Sequence, residues 1–315
     1  MGTPIARMTL AVQILLYRDD SYLADFFASL AAQTDQNWML CVRDQNPTPE
    51  NPQARRTHLG GFPQTLHWET GENLGFAGGH QQLFTRHDAA LVLLLNTDMV
   101  LDPGYLAAVR AVMEADPSVH AAAGVIMRLE RRAGSAQPTA RIDSAGLQEE
   151  WFGRVRDLTV APQTVMPVFG VSGCAPLLRR QSVERVSPDG TLFFPLYHSY
   201  KEDVDLAYRL AHLPGSIVVV PSARAAHVRS VRSGWARLGA SAYQDIHSYR
   251  NHLWNLLQHL SARDFLRRAW AILPYECLKS VFLFLRRPRG LWYAWASTWM
   301  HRHALVARRR FFQSL

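Results

Sequence analysis

The stretch LVLLLNTDMVLD, residues 91 to 102, predicts the fold class of this chain. Its first five residues are apolar, which is too few for a membrane span but suits a strand buried on both faces, as parallel strands are. Open α/β sheets bind ligands where such strands end, and this strand ends on Asn96-Thr97-Asp98. The Asp98 carboxylate is a hard oxygen donor that could hold Mg²⁺ or Mn²⁺ against a diphosphate. The alternative is an ordinary solvated aspartate in a turn.

Strands alternate with helices on both sides of this stretch, judged from the spacing of apolar residues. This alternation predicts an α/β fold, with a doubly wound, mostly parallel sheet and helices on both of its faces. A polar segment at 128–141 follows the last of these strands. The predicted strands are 10–17, 38–42, 65–68, 91–95 and 119–127, and the predicted helices are 19–32, 81–87 and 105–115.

Length and cysteine content set the broad class. A chain of 315 residues can bury a full core, and an apolar fraction of 48% is ordinary for a soluble globular protein. Cys41, Cys174 and Cys277 form no CxxC pair, which indicates a reducing compartment without a disulfide framework. Residues 1–17 predict a first strand rather than a signal peptide, and no run of about 18 apolar residues predicts a membrane span.

Positive charge is concentrated in the last part of the chain. Residues 261–315 carry eleven Lys/Arg and two Asp/Glu, a net charge of +9, whereas the remaining 260 residues have a net charge of −1. The distribution argues against nucleic-acid binding by the main body and indicates a surface-binding extension.

Two further segments resemble parts of a nucleotide site. Asp44 ends the second predicted strand, where a carboxylate can accept a hydrogen bond from a nucleobase imide or a ribose hydroxyl. The segment Asn73 to Gly79 contains three glycines, which would let the backbone approach a nucleotide closely. It matches neither GxGxxG nor a P-loop. An ordinary strand-end aspartate and a turn without a ligand are the alternatives.

Three carboxylates stand together in YKEDVDLAYR, residues 200 to 209. Glu202, Asp203 and Asp205 begin a predicted helix, where capping and the helix dipole favour acidic residues. That alternative explains one or two of them. It does not explain the aromatic stretch LFFPLYHSY just before them, since such surroundings would raise the pKa of a carboxylate toward that of a useful general base.

Taken in order, these segments resemble a family 2 glycosyltransferase of the GT-A fold, close to the bacterial rhamnosyltransferase-like group. The resemblance covers roughly residues 8 to 260. The motifs that carry it are LYRDD, VRD, NLGFAGG, LLLNTDM, IDSAG (142–146), VSGCAPLLRR (171–180), YKEDVDLAYR and PSARAAHVRS (221–230).

The resemblance implies a donor site at the strand ends. Asp44 matches the acid that contacts the uracil or thymine and the ribose. Asn73 and Gly75 match the loop beside the nucleotide. Asn96 stands where a strict DXD motif has its first aspartate, and Asp98 matches its last acid, which binds a divalent cation, Mg²⁺ or Mn²⁺, on the diphosphate.

The resemblance also implies the catalytic groups. Asp203 matches the catalytic base, and Glu202 would support it. Asp205 and Arg209 would brace the start of the helix. His227 matches a histidine that completes the metal or diphosphate site in many relatives, although a lone histidine is more often structural.

The implied reaction is a single displacement that inverts the anomeric configuration, with no covalent intermediate. The expected donor is dTDP-rhamnose or another dTDP- or UDP-sugar. The expected acceptor is a hydroxyl of a glycan or lipid-linked acceptor in cell-surface polysaccharide synthesis. Residues 188–192 depart from the family pattern on the acceptor side. A sugar nucleotidylyltransferase would need a glycine-rich loop after the first strand, and LYRDDSY has none; a non-catalytic carbohydrate- or membrane-binding protein is the other alternative.

We expect two parts, a catalytic domain at 1–240 and a basic, aromatic, helical extension at 241–315. In the extension, Trp, Phe, Leu and Tyr interleave with Arg, which suits helices lying in a membrane surface with anionic headgroups. The expected location is cytoplasmic, peripheral on the inner face of the cell membrane. Packing of the extension on the catalytic domain or on a second subunit, in a homodimer, is the alternative.

Overall fold

The computed structural model describes residues 9–18, 21–45, 52–62, 65–132, 135–228 and 241–315. Residues 19 and 20, the first of the helix predicted at 19–32, lie outside these ranges. The strands are β1 Leu10–Leu16, β2 Met39–Asp44, β3 Thr65–Thr70, β4 Leu91–Leu95, β5 Met99–Leu101, β6 Val119–Arg132, β7 Ser135–Ser144, β8 Leu147–Glu149, β9 Val155–Asp157, β10 Met166–Val168, β11 Leu177–Arg179 and β12 Ser216–His227. The helices are α1 Leu23–Ala31, α2 Pro52–Gly60, α3 Gly75–Phe84, α4 Tyr105–Ala115, α5 Arg180–Arg185, α6 Glu202–Leu210, α7 Ala242–His259, α8 Ala262–Arg286, α9 Pro288–Met300 and α10 Arg302–Ser314.

The predicted α/β fold is confirmed. Ten of the described strands form one sheet in the order β10-β12-β6-β11-β4-β1-β2-β3, with β5 beside β12 and β7 beside β6. Strands β3, β2, β1 and β4 run parallel. All five residues of β4 are buried, because helices cover both faces of this half of the sheet.

The other half of the sheet is mixed. β11 runs antiparallel between β4 and β6, whereas β6 and β12 run parallel. The described residues of the polar segment 128–141, expected only to follow a strand, belong to β6 and β7, which pair antiparallel. An antiparallel hairpin tolerates polar residues because its two strands satisfy each other's backbone hydrogen bonds and one face can meet water.

Helix α3 begins at Gly75, six residues before the predicted start at 81. The glycines at 78 and 79 are therefore helical and do not form a loop. They were mistaken for loop residues because glycine is unfavourable inside helices. A Cβ on Gly79 would come within 2.9 Å of the Gln45 and Leu15 side chains, so the missing side chain lets α3 pack closely on the sheet.

Helices α7 and α10 pack against the sheet domain. Trp254 of α7 and Leu305 of α10 belong to the same buried cluster as Phe193, Tyr197 and Leu206. No helix within the described ranges is both long enough and apolar enough to cross a membrane. The division at residue 240 stays a prediction.

Candidate active site

The polar tripeptide after β4 lies at the carboxyl end of the parallel strands, as predicted. The backbone amide of Asn96 donates to the carbonyl of Cys174 at 2.9 Å. The carbonyl of Asp98 accepts from the amide of Val228 at 3.0 Å, and Met99 pairs with His227 in the antiparallel β5–β12 ladder. This ladder brings His227 beside Asp98, across 129 positions of sequence.

His227 lies between two carboxylates. Its Nε2 is 3.3 Å from Oδ2 of Asp98, and its Nδ1 is 3.1 Å from Oδ2 of Asp143. Burial disfavours the charged imidazole, but the hydrogen bonds to Asp143 and Asp98 outweigh it and raise the pKa of His227 to about 9. Arg128 lies 3.6 Å from the other oxygen of Asp143. The site is thus a carboxylate–histidine–carboxylate row.

This row has the donor types that a divalent cation needs. Oδ1 of Asp98 is buried and has no hydrogen-bond partner among the described residues. A neutral His227 would present Nε2 to a cation while its Nδ1–H donates to Asp143, the usual orientation of a metal-binding histidine. Within the part of the chain that the structure describes, no group of three or more His, Cys, Asp or Glu side chains is arranged to hold a metal. A cation here would therefore take its remaining ligands from a diphosphate and water, as Mg²⁺ commonly does.

Asp203 and Glu202 begin helix α6 and differ in accessibility. Glu202 is buried, and its Oε2 has no hydrogen-bond partner among the described residues. Asp203 is partly exposed, with Oδ2 accepting from the amide of Gly173 at 3.1 Å. Burial raises the pKa of both carboxyls, and repulsion from Asp203 raises that of Glu202 further. Asp203 is therefore the carboxylate that can reach a substrate, and its raised pKa suits a general base.

The turn that delivers these carboxylates is strained. Four described residues other than glycine have positive φ, and three of them are His198 (61°), Tyr200 (73°) and Lys201 (69°). Each such residue costs roughly 1–3 kcal/mol, and such strain persists only where the surroundings hold it. These three residues fall within the four positions directly before Glu202, so contacts from the surrounding structure must hold this backbone path.

Gly75 meets this strained turn. The amide of Gly75 donates to Oδ1 of Asn73 at 2.8 Å, and the amide of Ala77 donates to the carbonyl of His198 at 3.0 Å. Gly75 has φ of +71°, and a Cβ there would lie 2.3 Å from that same carbonyl. The glycine was predicted to admit a nucleotide, whereas the structure shows that it admits the His198 backbone. A role beside a nucleotide stays a prediction for Asn73 and Gly75.

Asp44 lies at the end of β2, as predicted, but its carboxylate is occupied. Oδ1 of Asp44 is 2.9 Å from the Arg55 guanidinium of α2, and both side chains are almost fully buried. The predicted donor contact of Asp44 stays a prediction, and sequence reasoning gave no sign of Arg55.

Asp205 connects helix α6 to the C-terminal helices α7 and α10. It is fully buried and is paired with Arg209 at 3.0 Å, one turn along α6, as predicted. It also contacts His259 of α7 at 2.8 Å and Arg308 of α10 at 3.3 Å. Burial alone would raise its pKa, but Arg209 and Arg308 outweigh burial and hold the pKa of Asp205 well below its usual range.

The structure brings most of the predicted residues to one edge of the sheet. The loop 171–174 connects the tripeptide after β4 to the start of α6. The Cys174 carbonyl accepts from the Asn96 amide, and the Gly173 amide donates to the Asp203 carboxylate. The residue that sequence reasoning missed is Asp143. It lies in IDSAG, a motif that the resemblance included without assigning it a role.

The family model described as Glycosyl transferase family group 2 matches residues 91–307, which include the strand-end tripeptide, the acidic pair and His227. The chain belongs to this family. Two curated Mycobacterium tuberculosis proteins, from strains CDC 1551 / Oshkosh and ATCC 25618 / H37Rv, are each 26% identical to it over 249 residues, covering 71% of this chain and 78% of theirs. Both are named N-acetylglucosaminyl-diphospho-decaprenol L-rhamnosyltransferase.

Solved glycosyltransferases share the fold at low sequence identity. GalNAc-T7 with UDP, GalNAc and Mn²⁺ superposes with a TM-score of 0.62 at 12% identity; 79% of this chain is covered, and the chain spans about half, 48%, of that protein. The Pyrobaculum calidifontis mannosyltransferase PcManGT with GDP-Man and Mn²⁺ gives 0.53 at 13% identity, covering 98% of this chain and 86% of that one. S. aureus TarS 1–349 with UDP gives 0.55 at 12% identity, covering 98% and 91%. The fold of this family member is thus the GT-A fold.

Proposed function

We propose that this glycosyltransferase moves a sugar from a nucleotide-diphosphate donor to an acceptor hydroxyl by one inverting displacement. The observation that carries the proposal is the position of Asp203, a partly exposed carboxylate with a raised pKa at the same sheet edge as Asn96 and Asp98. Asp203 would take the proton from the acceptor hydroxyl as it attacks the anomeric carbon. The nucleoside diphosphate leaves from the opposite face of the sugar.

Asp98 and His227 are the residues that would hold Mg²⁺ or Mn²⁺ against the donor diphosphate. When bound, such a cation neutralises charge that develops on the leaving diphosphate. Asp143 would hold the imidazole by accepting from Nδ1, and Asn96 would face the donor from the same tripeptide. The Mn²⁺ complexes of GalNAc-T7 and PcManGT support the choice of cation.

We propose dTDP-rhamnose as the donor, with another dTDP- or UDP-sugar as the second choice. The support is the mycobacterial relatives, whose name specifies L-rhamnosyl transfer to a decaprenol-linked N-acetylglucosamine. The same name supports a lipid-linked acceptor for this chain. A role in cell-surface polysaccharide synthesis is part of the same proposal.

Calorimetric titration with UDP, dTDP and GDP, with and without Mn²⁺, tests the donor site. We expect one pyrimidine diphosphate to bind only when Mn²⁺ is present. Asp98→Asn should lose this metal-dependent binding, because its orphaned carboxylate oxygen becomes part of a neutral amide. Asp25→Asn, on the exposed surface of α1, serves as the control and should bind like wild type.

Other results of this titration would contradict the donor assignment. Nucleotide binding by Asp98→Asn that matches wild type would remove Asp98 from the site. No nucleotide binding by the folded wild-type chain would favour the non-catalytic carbohydrate- or membrane-binding alternative.

We also propose that the C-terminal helices lie on a membrane surface. Seven apolar side chains of α8 and α9 are more than two-thirds exposed, and exposed arginines stand among them. Apolar side chains entering the interface, with cations near anionic headgroups, would account for this composition and for the net charge of the segment. The apolar residues are Leu266, Trp270, Leu278, Leu285, Trp292, Trp299 and Met300, and the arginines are Arg263, Arg267, Arg289, Arg302 and Arg310.

Sedimentation with vesicles that contain anionic lipid tests this face. We expect the intact protein to bind at low salt and to lose much of its binding at high salt, since exposed charges are screened. Leu266→Glu with Leu285→Glu should weaken binding about tenfold or more, because each leucine contributes roughly 1.5–3 kcal/mol when buried. Val160→Glu, which is 77% exposed outside these helices, is the control. Failure of wild type to bind at low salt would refute the membrane proposal.

A further inference from the structure

Every backbone carbonyl of residues 196–201, directly before the acidic pair, accepts a hydrogen bond from a residue outside this segment. Helix α7 supplies most of the donors through Arg250, Asn251 and Asn255. The carbonyl of His198 is bound by the amide of Ala77 in α3. Residues at positive φ interrupt regular helix and sheet pairing, so most carbonyls of this turn depend on donors of this kind.

Asn251 is the centre of this arrangement. It is fully buried, and its Nδ2 lies 3.0 Å from the carbonyl of Tyr197, 3.0 Å from that of Ser199 and 2.7 Å from that of Tyr200. An amide has two N–H groups, so at least one of them is shared between carbonyls. Oδ1 of Asn251 accepts from Nε of Arg250 at 2.9 Å, which determines which side of the amide faces the turn.

We propose that Asn251 is a positioning residue for the catalytic carboxylate. Its amide holds the turn 197–200 in its strained path, and this path sets where α6 begins. Asp203 lies three residues beyond Tyr200, the last residue whose carbonyl Asn251 binds, and meets the Gly173 amide at the sheet edge. This inference rests on the proposed role of Asp203 as the base.

The proposal places part of the active centre in the C-terminal helices. Asn251 lies on α7, and the strained turn that it binds is 51 to 54 residues earlier in the chain. Asn255, one turn along α7, binds the carbonyl of Lys201 at 3.0 Å and accepts from the Tyr197 hydroxyl. Removal of these helices should therefore disable the base as well as any membrane contact.

Asn251→Asp tests the proposal with little change of shape. One carboxylate oxygen of the aspartate can still accept from Arg250. The other oxygen replaces the Nδ2 donor, so it faces three carbonyls and can donate no hydrogen bond to them. With dTDP-rhamnose, Mn²⁺ and an N-acetylglucosaminyl-diphospho-polyprenol acceptor, we expect kcat to fall about 100-fold, the cost of a misplacement near 1 Å. Nucleotide binding, measured by calorimetry, should stay within about twofold of wild type, because Asn251 contacts no predicted donor residue. Asn251→Ser removes the amide without adding charge and should show the same loss if the aspartate variant does not fold.

His252→Gln is the matched control. His252 is the next residue of α7, is also buried, and binds Glu276 of α8 at 2.7 Å, away from the turn. It should lose thermal stability without losing kcat. A wild-type kcat in Asn251→Asp, or an equal kcat loss in His252→Gln, would overturn the proposal.

Hydrogen exchange separates this proposal from the proposed function. Asn251→Asp and Asn251→Ser should speed exchange of amides in 196–205, and His252→Gln should not. If the wild-type chain transfers no sugar, the proposed function fails, and exchange alone then decides whether Asn251 holds the turn. Unchanged exchange at 196–205 would show that it does not.

Discussion

Asp203→Asn should reduce sugar transfer by about 10²–10⁴-fold, the usual cost of losing a general base. The asparagine amide can occupy the same space beside the Gly173 amide but cannot take a proton from the acceptor. Donor binding should persist, because Asp203 is not one of the predicted donor and metal residues, which are Asp44, Asn73, Gly75, Asn96, Asp98 and His227. Steady-state kinetics with calorimetric titration of the nucleotide measure both expectations.

The control for Asp203→Asn is Asp25→Asn, which makes the same chemical change at an exposed position of α1. Asp25→Asn should leave kcat unchanged. Turnover of Asp203→Asn near the wild-type value would remove Asp203 from the mechanism. Loss of nucleotide binding in parallel with turnover would instead indicate that Asp203 supports the donor site.

Asp205→Asn should lower the free energy of unfolding by about 3–5 kcal/mol, the typical cost of removing one partner from a buried ion pair. The neutral side chain would leave Arg209 and Arg308 buried without their shared carboxylate. Because this carboxylate joins α6 to α7 and α10, we expect the C-terminal helices to be held less firmly against α6. Equilibrium denaturation in urea measures the change.

The same variant has a defined pH dependence. The folded pKa of Asp205 is depressed, so its stabilising effect is full above the unfolded value of about 3.9 and is lost as the pH falls toward the folded value. The stability difference between wild type and Asp205→Asn should therefore be constant near neutral pH and shrink below about pH 4. A difference that grows on acidification would contradict the assignment.

Two variants accompany Asp205→Asn. Glu184→Gln breaks the exposed pair of Arg180 and Glu184, whose glutamate side chain is 46% exposed, and should change stability by no more than about 1 kcal/mol. Arg308→Met removes one of the two buried arginines while keeping the Arg209 pair. It should destabilise less than Asp205→Asn, and it serves for comparison if that variant does not fold.

The sequence by itself determined the features that have a local signal. The apolar run Leu91–Leu95 and its polar end predicted a central strand with Asp98 at a ligand-binding edge. The spacing of apolar residues predicted α4 at 105–115, which is where the helix lies. Periodicity records which face of an element is buried, so it predicts elements and the ends of strands well.

Only the tertiary structure decided which residues meet at the site. The contact of Asp143 with His227 spans 84 positions, and the contacts of Asn251 with the strained turn join α7 to residues before α6. No periodicity encodes such contacts, because they follow from how strands and helices pack. The same reason explains Gly75, whose missing Cβ makes room for the His198 backbone, and Asp44, whose carboxylate is paired with Arg55.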